Sequence, residues 1–121
     1  MTTRSTPPRT SPPTVKTYMV VHDTAYTYEH PVGLSRQILH LSPRTMPWQT
    51  CRAHSLTIAP EPQILAATDD AFGNPTTSFV IESDHASLSV RAESKVEVTA
   101  RPTPDDAATP AWDAVRTRLT Y

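Results

Sequence analysis

A two-residue alternation in residues 87–100 limits the folds open to this chain more than any other feature. Because successive side chains of a β-strand point to opposite faces, the alternation predicts one long strand with a buried face and a solvated face. Such a strand is typical of antiparallel sheets, which pack one face on a core and leave the other in water. The apolar positions are Leu88, Val90, Ala92, Val96, Val98 and Ala100, and the polar ones are Ser89, Arg91, Glu93, Lys95, Glu97 and Thr99.

Shorter segments earlier in the chain show the same pattern. Residues 15–30 are rich in β-branched and aromatic residues, and "HPVG" at 30–33 then interrupts them. Residues 34–44 resume the alternation, residues 45–50 form a predicted loop, and residues 51–62 place Leu56 and Ile58 on one face. A helical period of 3.6 residues is missing between these segments, which argues against a parallel α/β fold. The sequence predicts an all-β fold, an antiparallel β-sandwich of about six to seven strands.

The stretch "DDAFGN" before the strand "TTSFVIE" is typical of a hairpin turn. A type I turn favours Asp at its first position and Gly at its fourth, and Asp70 and Gly73 occupy these positions. We expect Gly73 to adopt a positive φ, and Asn74 to be held extended by the following proline. Phe72 is a large apolar ring in a polar loop, and we expect it to fold back onto the core. The predicted structural turn motif is Asp70, Phe72, Gly73 and Asn74.

Composition sets the outer limits on function. The net charge of −1 gives no electrostatic reason to expect nucleic acid or an anionic membrane as a partner. The single cysteine excludes an internal disulfide and fits a reducing compartment, so we expect a cytoplasmic protein. Residues 1–13 consist mainly of Thr, Ser, Pro and Arg, with too little apolar surface to fold, and they predict a disordered leader. A folded domain is expected over 14–100.

Residues 101–121 predict a Pro-rich linker and the start of a helix. Thr109 is a candidate cap, and Pro110 suits the first helical position. The apolar residues that follow recur at helical spacing and lack a partner, so we expect an interface there and self-association of the isolated chain. The candidate interface residues are Trp112, Val115 and Leu119.

Chemistry-bearing residues do not form a recognisable catalytic pattern. Cys51 is the one thiol, and it lies at the start of a predicted strand rather than at a helix N-terminus, where thiolates are stabilised. His54, three residues on, is predicted to point to the opposite face. The five histidines are scattered without paired spacing, and two glycines are too few for a phosphate-binding loop. We therefore predict no catalytic residues, no metal site and no cofactor.

The order of short motifs over residues 17–99 resembles the N-terminal domain of bacterial transglutaminase-like proteins. A strand with a His-x-Thr-x-Tyr-x-Tyr element comes first, a Leu-x-Leu-x-Pro-Arg strand follows, then a Pro-x-Pro, and finally Asp-x-Phe-Gly-Asn. In this sequence the motifs are His22, Thr24, Tyr26 and Tyr28; Leu39, Leu41, Pro43 and Arg44; Pro60 and Pro62; and Asp70, Phe72, Gly73 and Asn74. Pro75 after the Asn departs from the pattern.

The resemblance implies a non-catalytic β-sandwich module that packs on a papain-like core. Such proteins continue beyond this region into that core, which carries a Cys-His-Asp triad, and we expect the core as a partner in cis or in trans. The alternative is a stand-alone module that binds a peptide or another protein at a sheet face or a strand edge. Neither reading makes this chain itself an enzyme.

Overall fold

The computed structural model describes residues 12–119 and contains six strands and one α-helix. A short 3₁₀ turn at Asp106–Ala108 precedes the helix. The strands are β1 (Val15–Val32), β2 (Ser35–Leu39), β3 (Gln49–Ala59), β4 (Ile64–Asp69), β5 (Pro75–Ile81) and β6 (His85–Thr99), and the helix is α1 (Trp112–Leu119).

The strands form two antiparallel three-stranded sheets. The first sheet has the order β1-β6-β3 and is built from long strands, and the second has the order β2-β5-β4 and is built from short ones. The predicted all-β fold with antiparallel pairing is confirmed, with six strands. Since β6 is the central strand of the first sheet, its alternation fixes which side chains of β1 and β3 share each face.

The core lies between the two sheets at one end of the first sheet. Phe79 and Ile81 of β5 pack against Leu88 and Val90 of β6, and all four side chains are at most 3% exposed. The half-buried side chains packed around them are Tyr28, Leu39, Leu41, Leu56 and Ile58. The second sheet, whose strands have only five to seven residues, thus covers the N-terminal half of β6.

Some predicted boundaries are wrong for identifiable reasons. The break expected at residues 30–33 falls later, because β1 continues through Pro31 to Val32 after an irregularity in its pairing with β6. Edge strands tolerate a proline, and β1 is an edge. The alternation expected to run to Pro43 ends at Leu39, and from there residues 40–48 cross towards the first sheet.

The predicted start of the helix is also wrong. Thr109 caps the C-terminal end of the 3₁₀ turn, where its N–H and its hydroxyl both donate to the Asp106 carbonyl. Helix α1 begins at Trp112, and the Ala111 carbonyl accepts from the Val115 N–H. The helix begins later than predicted because the Asp105 side chain accepts from the Ala107 N–H. This bond caps the 3₁₀ turn, which precedes the helix.

Candidate functional site

The turn between β4 and β5 is organised by one carboxylate. The Gly73 N–H donates to the Asp70 carbonyl at 3.0 Å, and Gly73 has a φ of 74°. Asp70 Oδ1 accepts from the backbone N–H groups of Phe72 at 2.9 Å and Asn74 at 2.8 Å. Asp70 Oδ2 accepts from the side-chain amide of Asn74 at 3.0 Å. Three N–H donors therefore converge on a single side chain.

These donors favour the charged carboxylate. The backbone N–H of Asn74, followed by the side-chain amide of Asn74, holds the pKa of Asp70 below its ordinary value of 3.8. The Phe72 N–H acts in the same direction. The turn therefore forms around an ionised Asp70. The described contacts give this carboxylate the role of fixing the backbone of the turn.

Arg44, far away in the sequence, closes over this turn. Its Nη1 donates to Asn74 Oδ1 at 3.2 Å, across a separation of 30 residues. A Cβ placed on Gly73 would lie 3.3 Å from Arg44 Nη2. Arg44 of the Pro-Arg motif therefore contacts the Asp-x-Phe-Gly-Asn turn in the folded chain. The sequence analysis did not predict this contact, because strand alternation and turn preferences describe only residues that are close in sequence.

Phe72 does not fold back onto the core. Its side chain is 80% exposed, so the expectation of a buried ring is wrong. The hydrogen bond from its own N–H to Asp70 fixes it near the tip of a tight turn, where the side chain projects into solvent. Two of the carboxylate's three hydrogen bonds go to the turn backbone, so the turn does not need the ring as an anchor.

A β-bulge brings Cys51 and His54 to the same face of β3, contrary to the sequence prediction. The pairing with β6 shifts between Cys51 and Ala53, so that Cys51 lies opposite Val96 and His54 opposite Ser94. In a regular strand, residues three positions apart point to opposite faces. The extra residue at the bulge reverses this for Cys51 and His54. Nothing in the alternation of the sequence marks this shift.

His54 forms hydrogen bonds with two serine hydroxyls and none with the Cys51 thiol. Its Nε2 lies 3.0 Å from Ser42 Oγ and its Nδ1 lies 2.9 Å from Ser94 Oγ. Cys51 Sγ instead donates to the Ala53 carbonyl at 3.4 Å. The geometry therefore makes His54 a bridge that ties Ser42, in the segment 40–48, to the first sheet.

A second histidine and serine pair is fully buried. Ser35 Oγ lies 3.0 Å from His85 Nε2, and His85 Nδ1 lies 2.7 Å from the Ser83 carbonyl. The Tyr28 ring meets the imidazole edge-on, with 5.8 Å between the ring centroids. Ser35 and His85 are each 6% exposed, and their hydrogen bond joins β2 to the start of β6.

The predicted interface residues lie on one short helix with no buried residue. Trp112 is 70% and Leu119 66% exposed, and Val115 is also exposed. The guanidinium of Arg116 lies 5.0 Å from the centroid of the Trp112 ring. The structure leaves the apolar face of α1 in solvent, and its role as an interface stays a prediction.

Two further apolar surfaces were not predicted. On the first sheet, Tyr18 and Val20 are each about half exposed, and at the same end Met46 and Trp48 line a groove of about 490 Å³ together with Val98 and Arg101. On the second sheet, Ile38 and Ile64 are exposed on the face turned away from Phe79. A sequence signal for the latter exists, because β2 ends in the adjacent apolar residues Ile38 and Leu39 and β4 begins with Ile64 and Leu65, and adjacent residues of a strand point to opposite faces.

Metal and membrane sites were also sought in the described part of the chain. Across residues 12–119, no three or more His, Cys, Asp or Glu side chains gather closely enough to hold a metal ion. The one α-helix of that range is too short to cross a membrane.

The fold defines a class of protein, a small module of two packed antiparallel sheets. The family model described as "bacterial transglutaminase-like N-terminal region" matches residues 18–97. The chain therefore belongs to that family, as the order of its motifs suggested. The matched region begins within β1 and ends within β6, so it coincides with the two sheets.

Relatives of this chain are longer proteins. Uncharacterized proteins of Mycobacterium bovis and of two Mycobacterium tuberculosis strains are each 34% identical to it over 102 residues. The matches cover 82% of this chain and 32% of each relative, so the similarity spans about a third of their length. No solved structure matches the chain.

Proposed function

We propose that this chain is a non-catalytic module that packs on and positions a papain-like Cys-His-Asp core in a transglutaminase-like protein. The observation that carries the proposal is the coincidence of the family's N-terminal region, residues 18–97, with the complete pair of sheets. The relatives supply the second support, since two thirds of their length lies outside the match. We place this assembly in the cytoplasm, where a single free cysteine such as Cys51 stays reduced.

Calorimetry with the C-terminal segment of a longer family member tests this proposal. We expect heat of binding in trans, and we expect Trp112→Ala to weaken the binding because exposed aromatic residues commonly become buried anchors of an interface. Phe72→Ala is the matched control, since Phe72 is an equally exposed ring on a distant turn. A lack of heat with a well-behaved monomer would contradict binding in trans, and it would contradict the proposal itself if the two parts also failed to dock when joined in one polypeptide.

The alternative function is that of a stand-alone peptide-binding module. It is favoured by the edge position of β1, an 18-residue strand that pairs with β6 on one side only. An extended peptide can add to such an edge through backbone hydrogen bonds. Retention of an extended peptide by the chain, without heat from the core segment, would support this second reading over the first.

A further inference from the structure

At the end of the first sheet where β6 finishes, part of the inner face is left uncovered. Along β1, Tyr18 lies opposite Val96 and Val20 opposite Ser94, so both side chains share the face that carries the core residues of β6. They are nevertheless 49% and 47% exposed, because the second sheet packs at the other end of β6. The segment 40–48, tied down by the hydrogen bond between Ser42 and His54, reaches this end, where Met46 pairs with Gln49.

A groove lies at this end of the sheet. It is lined mainly by apolar groups of Met46, Pro47, Trp48 and Val98, and by Ala100 and Arg101 as the chain leaves β6. Trp48 is held in place because its carbonyl accepts from the Thr99 N–H at 2.9 Å. Tyr18 and Val20 do not line the groove, but they lie across β6 on the same face as Val98, which does line it. We call the four exposed side chains Tyr18, Val20, Met46 and Trp48 together the exit patch.

We propose that the exit patch is the docking surface for the C-terminal part of the longer family members, and this inference rests on the proposed function. The chain itself supplies the first argument. Residues 100 and 101 line the groove, so whatever follows the sandwich in sequence starts from this surface. The family match names the sandwich as an N-terminal region, and the relatives are about three times as long as their matched part.

The size of the exit patch favours a partner in the same polypeptide over a second copy. Two half-exposed aromatic rings, one Met and one Val offer roughly 300 Å² of contact. A stable complex between separate proteins needs about 800 Å² on each partner. A covalently linked partner has an effective concentration in the millimolar range, so a smaller surface is enough to keep it docked.

The charged side chains on the opposite face of the first sheet argue against that face as the docking surface. That face carries Arg91, which lies 3.6 Å from Asp23 and 3.7 Å from Glu93, and these ion pairs are solvated. Burying them would cost more free energy than burying the exit patch. That opposite face also exposes Met19 and Val21, and apolar side chains are likewise exposed on α1 (Trp112) and on the outer face of the second sheet (Ile38 and Ile64). These surfaces compete with the exit patch, and Ile38 serves as the control.

Hydrogen–deuterium exchange tests the inference on a full-length chain. The chimaera carries residues 1–121 of this chain in place of the matched segment of a Mycobacterium tuberculosis relative, and its exchange is compared with that of the present chain alone. We expect amides of residues 46–50 and 97–101 to exchange about tenfold more slowly in the chimaera. Trp48→Ser should abolish that difference, whereas Ile38→Ser should leave it unchanged, and thermal unfolding of both variants establishes that each is folded.

The outcomes separate this inference from the function on which it rests. Slowed exchange confined to another exposed apolar surface, at residues 19–21, 36–39, 63–67 or 112–119, would overturn the exit patch as the docking surface but leave the docking of the module intact. Unchanged exchange everywhere would overturn both. If exchange at the exit patch is still slowed in the double variant Trp48→Ser and Met46→Ser, the assignment of these two side chains to the docking surface would also be overturned.

Discussion

At the scale of single residues, the Asp70 turn shows how one carboxylate can replace several backbone contacts. Its two oxygens accept three N–H groups within five residues, while Gly73 supplies the positive φ that closes the turn. Arg44 then covers the glycine from the outside. The turn is consequently sensitive both to backbone conformation and to the charge on Asp70.

Substitution of Gly73 should be costly. Gly73→Val forces a β-branched residue to a φ of 74° and places a Cβ 3.3 Å from Arg44 Nη2, so we expect a loss of at least about 1–2 kcal/mol in unfolding free energy. Gly33→Val is the control, since a Cβ there meets only the end of the Asp84 side chain, at 3.0 Å. Chemical denaturation measures both, and equally small losses would contradict the turn as described.

The lowered pKa of Asp70 predicts a pH dependence. Because the folded pKa lies below the ordinary 3.8, the unfolded chain binds more protons between the two values, and stability falls as the pH drops through that window. Asp70→Asn should therefore be less stable than the wild type at pH 7, and the gap should narrow below about pH 3.8. Urea titrations at pH 7, 5 and 3 measure the gap. A constant gap would show that charge at Asp70 plays no part.

Residue-scale prediction from sequence succeeded where the chemistry is local. Asp70 and Gly73 follow from turn preferences that operate over four residues. The Arg44 contact could not be predicted in the same way, because it depends on how β2 and the segment after it are placed against β5. Phe72 was assigned to the core on hydrophobicity alone, which cannot distinguish a ring at the tip of a turn from one that folds inward.

At the scale of elements, the segment 40–48 depends on few contacts. Ser42 Oγ holds it to His54, and Thr45 Oγ1 accepts from the Cys51 N–H at 3.3 Å. Gln49 Nε2 donates to the Arg44 carbonyl at 2.7 Å. These three hydrogen bonds fasten the segment next to the bulge, where β3 departs from regular pairing, and the bonds of Arg44 to Asn74 and of the Trp48 carbonyl to the Thr99 N–H hold it elsewhere.

Removal of the Ser42 hydroxyl should loosen this segment. Ser42→Ala deletes a half-buried hydrogen bond and leaves a ring nitrogen of His54 without its partner, so we expect a loss of about 1–2 kcal/mol. Ser55→Ala, at an exposed position of the same strand, should change stability by less than about 0.5 kcal/mol. Thermal unfolding compares the two variants. A neutral result at Ser42 would show that the loop is held by packing instead.

Periodicity predicted the existence of the strands better than their ends. The alternation in β6 was clear because its outer face is solvated, and β6 therefore anchors the fold class. The bulge near Arg52 and the continuation of β1 through Pro31 are responses to pairing partners, which one strand's own sequence does not contain. Helix α1 was placed too early because a nearby aspartate caps a competing turn.

At the scale of the whole molecule, the sandwich has a small core and much uncovered apolar surface. Its fully buried large side chains are Phe79, Ile81 and Leu88 among the described residues. Sequence patterns predicted the family and the fold. They could not predict which sheet faces remain exposed to solvent, because an apolar residue in a strand looks identical in sequence whether or not a second sheet covers it. The exit patch was missed for this reason.

Catalysis is predicted to be absent from the isolated chain as a whole. With His54 engaged by Ser42 and Ser94, no described contact activates the Cys51 thiol. We expect neither amine incorporation into glutamine substrates nor peptidase activity from the purified chain, and Cys51→Ala should leave any background rate unchanged. Activity that Cys51→Ala abolishes would overturn this prediction.

The hydrogen bond between Arg44 and Asn74 has an evolutionary consequence. Arg44 reaches Asn74 and covers Gly73, so a change at one of these positions alters the surroundings of the other two. Across family members, positions 44 and 74 should therefore change together, and a side chain other than glycine at 73 should be accompanied by a shorter residue at 44. Two motifs separated by 30 residues would then be inherited as one unit.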